Sequence, residues 1–274
     1  MKKLLTLAAA LVLFAATQAF AIIGVGAHYV MNTGSLKGSS GKVYDFPAGD
    51  LFEGHSIEVR QEKTSGLQGL GFKVWLDFIP FVDIEGTLNI AATRYNIFLI
   101  VPTPDTDPNH LGEIKKEEIK LSYTPDAPYS MMFGDASPLF GIVNGDLSVT
   151  YPFDLPIIRP YVGIGISYFA SIPIINDDFA KKMLSGEDGK DLVGTLTGND
   201  PSAAASDVGD ALIKALEKES YTSGIGGHLI AGFRIKAPII PVAVYTNGKY
   251  YFGGNTNSQF TQGFVLEVGG GFAL

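Results

Sequence analysis

The chain has 274 residues, a formal net charge of −8 and no cysteine, and it is rich in glycine (33 residues), phenylalanine (18) and tyrosine (12). The absence of cysteine excludes disulfides, thiolate catalysis and cysteine-ligated metals. The acidic balance argues against nucleic acid as a partner, because an acidic surface repels a polyanion. Divalent cations and polysaccharide remain open as ligands.

The N-terminus carries the three parts of a secretory signal. Lys2 and Lys3 precede an apolar run from residue 4 to residue 16, and Ala19 and Ala21 supply the small residues that a signal peptidase reads. The alternative is a single membrane anchor, but the run is shorter than the ~20 apolar residues that a spanning helix needs. We therefore predict a signal peptide at residues 1–21 and one mature domain at residues 22–274.

Beyond the signal, the chain alternates between apolar and polar residues in eight segments. The third segment is the clearest: Val82, Ile84, Leu88 and Ile90 lie on one face, opposite Asp83, Glu85, Thr87 and Asn89. No apolar run after the signal is long enough for a spanning helix, and in a bilayer only a closed barrel then satisfies every backbone group. The eight segments start at Ile23, Leu70, Val82, Val143, Tyr161, Ile225, Val242 and Phe264.

The connections between these segments alternate between short and long. Three short ones carry proline, at residues 79–80, 152–156 and 237–241, and proline marks where strand pairing stops. Three inner turns and two inner termini predict an all-β, eight-stranded, antiparallel up-and-down transmembrane β-barrel with long extracellular loops. Segments 56–61 and 118–123 are also strand-like; we predict that they extend hairpins above the membrane, and ten strands is the alternative.

The long connections span residues 33–66, 97–138 and 170–222, with a shorter one at 252–261, and loops of such length are usually functional. Within the third, Val208, Leu212 and Leu216 recur every four residues after Pro201, which predicts a helix over residues 200–219 that packs over the barrel mouth. The alternative is a solvated, partly disordered loop.

Polar and charged residues on the inward face of the strands form the candidate site. Eight strands enclose an interior just wide enough for side chains to fill it, so inward charges must pair with one another. The structural interpretation is a plugged lumen with small or erratic conductance, and the alternative is a proton or ion path. The predicted lumen network consists of Lys73, Asp77, Asp83, Glu85, Asn89, Asp146, His228, Arg234, Lys236 and Glu267.

The sequence predicts no cofactor, no metal site and no catalysis. The four histidines, at positions 28, 55, 110 and 228, have no metal-ligand spacing. His55 and Ser56, with Glu58 nearby, keep a lipid-modifying enzyme open as an alternative. Adjacent strand residues point to opposite faces, however, so this pair is poorly arranged for proton transfer.

Two segments resemble a known family. The run Arg-Pro-Tyr-Val-Gly-Ile-Gly-Ile-Ser-Tyr at residues 159–168 and the final strand at 263–274 resemble the transmembrane domain of outer membrane protein A and related small outer-membrane barrels. The resemblance implies an eight-stranded barrel in the outer membrane of a Gram-negative cell, inserted by the barrel-assembly machinery. Here the chain ends in Leu274, whereas the aromatic Phe272 lies two positions earlier. The family shares a shape more than a site, so it carries over no functional residue.

We therefore predict a structural or surface-recognition barrel whose long acidic loops contact an extracellular ligand of unknown identity. Its surroundings are outer-membrane lipid and lipopolysaccharide, and Arg94, at the outer end of the third segment, is placed to reach anionic headgroups. Aromatic residues near the strand ends predict interfacial girdles. They are Tyr29, Phe78, Phe81, Tyr95, Tyr151, Phe153, Tyr168, Tyr250 and Phe272.

Other functions and folds remain open from the sequence. The apolar residues 97–101 suggest passage of small hydrophobic molecules, although a simple extension of the third strand above the bilayer also explains them, and a narrow porin-like channel is a further possibility. A soluble lipocalin-type barrel would instead turn Asp83 and Glu85 outward, into water.

Overall fold

The computed structural model describes residues 23–79, 81–105, 107, 109–110, 112–122, 137–153, 155, 157–185, 193–194, 201–236, 241–254 and 257–273. The predicted signal peptide lies outside these residues. The strands are β1 (Ile23–Leu36), β2 (Ser39–Asp45), β3 (Ser56–Gln61), β4 (Thr64–Ile79), β5 (Val82–Arg94), β6 (Ile97–Pro104), β7 (Ile114–Lys120), β8 (Leu139–Pro152), β9 (Ile158–Ser171), β10 (Thr222–Lys236), β11 (Val242–Gly253), β12 (Phe260–Thr261) and β13 (Phe264–Ala273). The helices are α1 (Asp177–Leu184) and α2 (Pro201–Leu216).

Eight of these strands close into an antiparallel barrel. The order around the ring is β1, β4, β5, β8, β9, β10, β11 and β13, and β13 pairs again with β1. The short β12 pairs with the end of β1 beside β13. The predicted strand count of eight is confirmed, and the ten-strand alternative is wrong.

Alternation of side chains sets the two faces of the barrel wall. Leu88 and Ile90 are 47% and 55% exposed on the outside, whereas Asp83 and Glu85 are buried inside. The barrel thus has an apolar exterior and a polar interior, which is the arrangement of a transmembrane barrel and the reverse of a lipocalin. The soluble-barrel alternative is wrong for this reason.

Proline ends the strands at the three short connections. β8 ends at Pro152 and β9 begins at Ile158, while β4 ends just before Pro80 and β10 ends just before residues 237–241. These turns, the start of β1 and the end of β13 lie at one rim of the barrel, which we call the turn end. The long connections leave from the opposite rim, which we call the loop end.

A second, four-stranded antiparallel sheet lies beyond the loop end, in the order β2, β3, β6, β7. Only two residues separate β3 from β4 and β5 from β6, and β3 pairs with β6. The β4–β5 hairpin therefore continues above the barrel, as predicted for residues 56–61. The predicted segment 118–123 overlaps β7, which covers Ile114–Lys120 and pairs with β6 in the same sheet, while residue 123 lies outside the described residues.

Both helices pack against this second sheet. The predicted helix at 200–219 is α2, which contacts β6, β7 and α1 and therefore packs on the sheet beyond the loop end. α1 contacts β2 and β3. In the part of the chain that the structure describes, neither helix is long and apolar enough to cross a membrane. We call β2, β3, β6, β7, α1 and α2 together the cap.

The cap has its own apolar core, which is continuous with the loop end of the barrel. Ile97, Leu99 and Val101 of β6 are fully buried in it, together with Val208 and Leu212 of α2. The same cluster reaches the barrel wall through Val30, Leu67, Phe140, Phe169 and Phe260. Apolar side chains of the cap therefore pack onto those of the barrel strands at the loop end.

The girdle prediction is wrong for one residue, Tyr95. Tyr95 lies between β5 and β6 and is buried in the cap core, where its hydroxyl accepts a hydrogen bond of 2.9 Å from the amide of Ile175. The girdle residues with described side chains other than Tyr95 are exposed, namely Tyr29, Phe81, Tyr151, Phe153, Tyr168, Tyr250 and Phe272. The side chain of Phe78 lies outside the described residues.

Candidate functional site: the barrel lumen

The inward positions of β5 and β8 face each other as four polar pairs. The register opposes Asp83 to Thr150, Glu85 to Ser148, Thr87 to Asp146 and Asn89 to Asn144. All eight side chains are buried. Strand periodicity of two places them on one face, so the local pattern alone directs this polar stripe into the lumen.

At the turn end, two arginines hold three carboxylates. Arg234 donates to Asp77 at 3.1 Å and to Glu85 at 2.9 Å. Arg159 contacts Asp77 at 3.0 Å and Asp83 at 3.1 Å. Because each arginine bridges two acids, the cluster is crosslinked across β4, β5, β9 and β10.

In the middle of the lumen, Lys73 is surrounded by acceptors and aromatic rings. Its ammonium lies 2.6 Å from Glu85 and donates to the Tyr161 hydroxyl at 2.9 Å. The rings of Tyr161 and Tyr245 both lie 5.0 Å from the Lys73 nitrogen, and the guanidinium of Arg234 lies 4.6 Å from the ring of Trp75. Such cation–π contacts strengthen when water is excluded.

Trp75 fits into the lumen because glycine lines the strand beside it. A side chain at Gly24 of β1 would overlap the Trp75 ring, and one at Gly271 of β13 would also meet it. The glycine richness of β1 and β13 therefore has a packing reason at these two positions.

Nearer the loop end, Lys249 is the central cation. It lies 2.7 Å from both Asp146 and Glu267. Asn89 and Asn247 each donate to Glu267 at 2.7 Å, and the Tyr251 hydroxyl donates to Asp146 at 2.8 Å.

Two buried histidines join this upper layer. The ring nitrogens of His28 lie 3.0 Å from the Tyr245 hydroxyl and 2.6 Å from the Asn89 side-chain oxygen. Those of His228 lie 2.8 Å from Ser148 and 2.7 Å from Ser167. Each ring therefore has partners on both nitrogens.

The charged side chains of the lumen thus form ion pairs, and amides, hydroxyls and aromatic rings make further contacts with them. A buried charge is tolerated only when it is paired and hydrogen-bonded, which is the condition met here. Among the described residues, no group of three histidine or acidic side chains is arranged to hold a metal ion. The arrangement can crosslink eight strands and fill the space between them.

The structure brings nine of the ten predicted lumen residues together inside the barrel. The tenth, Lys236, is the last residue of β10, and its side chain lies outside the described residues. Their role as a plug stays a prediction at this point. The predicted network omitted several members that lie on the same inward faces, namely His28, Trp75, Arg159, Tyr161, Tyr245, Asn247, Lys249 and Tyr251.

A simple signal identifies the most important omissions. Arg159 lies two residues before Tyr161, and Lys249 lies two residues after Asn247, so strand periodicity places both on the lumen face. Continuing each strand pattern to its ends would have included them.

The outer face of the cap sheet carries side chains of opposite charge that pair across the strands. Lys116 of β7 reaches Glu58 of β3 at 2.6 Å, and Arg60 of β3 pairs with Glu118 of β7. These pairs cross over β6, where the guanidinium of Arg60 lies 4.5 Å from the Phe98 ring. The cap therefore presents a mixed-charge surface at the loop end.

The residues that suggested catalysis do not share an environment. His55 precedes β3 and is half-buried, whereas Ser56 is the first residue of β3 and is buried. Glu58 is paired with Lys116 on the outer face of the sheet. This geometry gives no support to a proton transfer between His55 and Ser56.

Several solved outer-membrane proteins have a similar overall structure. OprG from Pseudomonas aeruginosa is 12% identical, with 91% of this chain and 94% of that chain covered, at a TM-score of 0.39. Neisserial surface protein A is 11% identical (91% and 99% covered, TM-score 0.38), and Ail of Yersinia pestis is 7% identical (91% and 96% covered, TM-score 0.36). No family model and no curated protein matches the sequence.

At such low TM-scores these likenesses carry no argument about function, and the architecture rests on the strand pairings described above. A closed eight-stranded barrel with an apolar exterior and a polar interior is the architecture of small outer-membrane proteins. The exposed apolar side chains form a belt around the outside of the barrel, and this apolar belt requires hydrocarbon around it. The protein is therefore located in the cell outer membrane.

Proposed function

We propose that this protein is a non-conducting outer-membrane barrel whose role, structural or in surface recognition, is carried by the folded cap at its loop end. The observation that carries the proposal is the side-chain packing across the lumen at two levels. Ion-paired side chains occupy the barrel from Asp77 to Lys249, and apolar residues of the cap core pack at the mouth above them. On this proposal the two layers leave no open path, so the surface available to other molecules outside the cell is that of the cap.

The residues that suggested hydrophobic passage have another use in this proposal. Ile97, Leu99 and Val101 are core residues of the cap sheet, so their apolar character needs no ligand to explain it. Insertion by the barrel-assembly machinery and contact with an extracellular ligand remain predictions.

Single-channel recording in planar bilayers tests the closed lumen. We expect refolded wild-type protein to give small or erratic conductance. Leu99→Ala loosens the cap core without touching the lumen, and we expect it to conduct no more than wild type, because the ion-paired layers remain. Steady, large, ion-selective conductance from either protein contradicts the proposal.

Binding by the cap is tested with protein in lipid nanodiscs on an array of polysaccharides and extracellular-matrix proteins. We expect wild-type protein to bind at least one polysaccharide or matrix protein on the array. The double variant Arg60→Ala, Lys116→Ala, which removes two cations from the cap surface, should not bind it. Asp83→Asn, buried in the lumen, is the control that should bind as wild type does. Binding that survives removal of the cap cations but is lost with the lumen change would contradict recognition by the cap.

A further inference from the structure

A groove interrupts the apolar belt on the outside of the barrel. It spans β4, β5, β8, β9 and β10 and has a volume of about 570 Å³, which lies within the range of small-molecule sites. Outward side chains line it, including Phe72, Leu88, Leu147, Ile166 and Tyr168. The concavity exists because Gly86 and Gly145 face outward there, and a Cβ at either position would meet nothing within 4 Å.

The groove lies midway between the turn end and the loop end of the barrel wall. Leu88, the register partner of Gly145, is the central residue of β5, which runs from Val82 at the turn end to Arg94 at the loop end. Arg94 lies six residue positions along the strand from Leu88, which corresponds to about 20 Å. With the usual strand tilt this is about 15 Å along the membrane normal, or half of a hydrocarbon core of about 30 Å.

Two pairs of outward register partners lie between Arg94 and the groove. Ala92 of β5 and Gly141 of β8 face outward as register partners, one step below the partners Arg94 and Leu139. The next outward partners toward the groove are Ile90 and Val143. An acyl chain that follows this line therefore passes the small pair near the headgroup level and then lies against these two apolar side chains before it reaches the groove.

Arg94 supplies a cation at the headgroup level. Its side chain is exposed, and one guanidinium nitrogen donates to the carbonyl of Ser137 at 2.8 Å, which fixes its position. A guanidinium has five N–H donors, so this bond leaves donors for a phosphate.

From this geometry we propose that the outer face of β5 and β8 is a binding site for one molecule of the phosphorylated, multi-chain lipid of lipopolysaccharide. One acyl chain fills the groove at Gly86 and Gly145, and a phosphate contacts Arg94. The loop end faces the outer leaflet in barrels with long external loops, and lipopolysaccharide is the phosphate-bearing lipid of that leaflet. A second barrel presents a convex wall, which does not fill a concave groove.

Native mass spectrometry of the detergent-solubilised protein, titrated with lipid A or with phosphatidylglycerol, tests the site. We expect one lipid A to bind to wild type, and phosphatidylglycerol to bind more weakly. Arg94→Gln should weaken lipid A binding about fivefold, through loss of one cation near an anionic headgroup. Gly145→Leu should weaken it about tenfold or more, because the side chain occupies the space of several methylenes.

Gly270→Leu is the matched control. Gly270 faces outward on β13, away from the groove, and a Cβ there makes only ordinary contact with Ala243. This variant should bind lipid A as wild type does. Folding of every variant is checked by heat-modifiable electrophoresis, and Gly86→Leu fills the same groove from β5 if Gly145→Leu does not fold.

Three results overturn the proposal. The first is equal lipid A affinity for Arg94→Gln, the groove-filling variant and Gly270→Leu. The second is phosphatidylglycerol binding as tight as that of lipid A. The third is a wild-type dimer that disappears in the groove-filling variant, which would assign the groove to a second copy of the chain.

Discussion

The lumen cations act as shared crosslinks. Arg234 serves both Asp77 and Glu85, and Lys249 serves both Asp146 and Glu267. Removing one cation therefore leaves two buried carboxylates with less compensation. A buried ion pair is costly to break, whereas an exposed pair contributes little.

Arg234→Gln should lower the free energy of unfolding by about 3–5 kcal/mol, because Glu85 and Asp77 lose a buried counter-ion. Arg60→Gln, which breaks an exposed pair in the cap, should change it by less than about 1 kcal/mol. Urea titration of protein in lipid vesicles, followed by the electrophoretic shift between folded and unfolded forms, measures both. Equal effects of the two substitutions would show that the lumen charges are solvated.

Trp75, the only tryptophan of the chain, reports on packing inside the barrel. Gly24→Ala places a methyl group against its ring and should cost about 1–3 kcal/mol through overpacking. Gly270→Ala, on the outward face of β13, should leave both stability and Trp75 emission unchanged. Fluorescence of the folded variants together with urea titration provides the measurement, and a Gly24→Ala protein with wild-type emission and stability would contradict the packing described.

At the scale of the elements, the segment between β5 and β6 anchors α1 to the top of the barrel. The Tyr95 hydroxyl accepts from the Ile175 amide, just before the N-cap residue Asn176, whose side chain accepts from Phe179. Asn176, two acids in the first turn and two lysines in the last turn form a capping pattern that sequence analysis overlooked.

Burial raises the pKa of the Tyr95 phenol above its ordinary value of about 10. The folded protein thus binds this proton more tightly than the unfolded chain does. The stabilising contribution of Tyr95 is complete below about pH 10 and is lost as the pH rises toward the folded pKa. Ultraviolet titration should therefore show that Tyr95→Phe removes a tyrosinate component that appears only above pH 10.

Wild-type protein titrated in parallel is the reference for this measurement. If the component lost in Tyr95→Phe appears already below about pH 10, Tyr95 is not buried in the cap.

At the scale of the whole molecule, the protein consists of two kinds of interior joined at the barrel mouth. The barrel wall is held by a closed ladder of strand pairing around a polar network, whereas the cap is held by an apolar core. We expect the barrel and the cap to unfold separately, because the barrel is closed by its own strands and does not need the cap to complete the ring.

Leu99→Ala should cost about 2–5 kcal/mol in the cap, because it empties a fully buried site. Limited proteolysis should then cut the cap at protease levels that leave wild type intact. The heat-modifiable shift of the barrel should stay unchanged, and loss of that shift would mean that cap and barrel unfold as one unit. Leu88→Ala, on the exposed outer wall, is the control and should leave cap proteolysis as in wild type.

The sequence by itself determined the inward and outward faces of the strands, the eight-strand count and the helix of residues 201–216. These follow from local signals: alternation with period two, proline at the short turns and a four-residue apolar repeat. Only the tertiary structure decided which carboxylates Arg159 and Lys249 pair with, that Tyr95 is buried, and that β2, β3, β6 and β7 form a second sheet. Those outcomes depend on which distant segments meet when the ring closes and the loops share a core, and a local pattern does not encode such pairings.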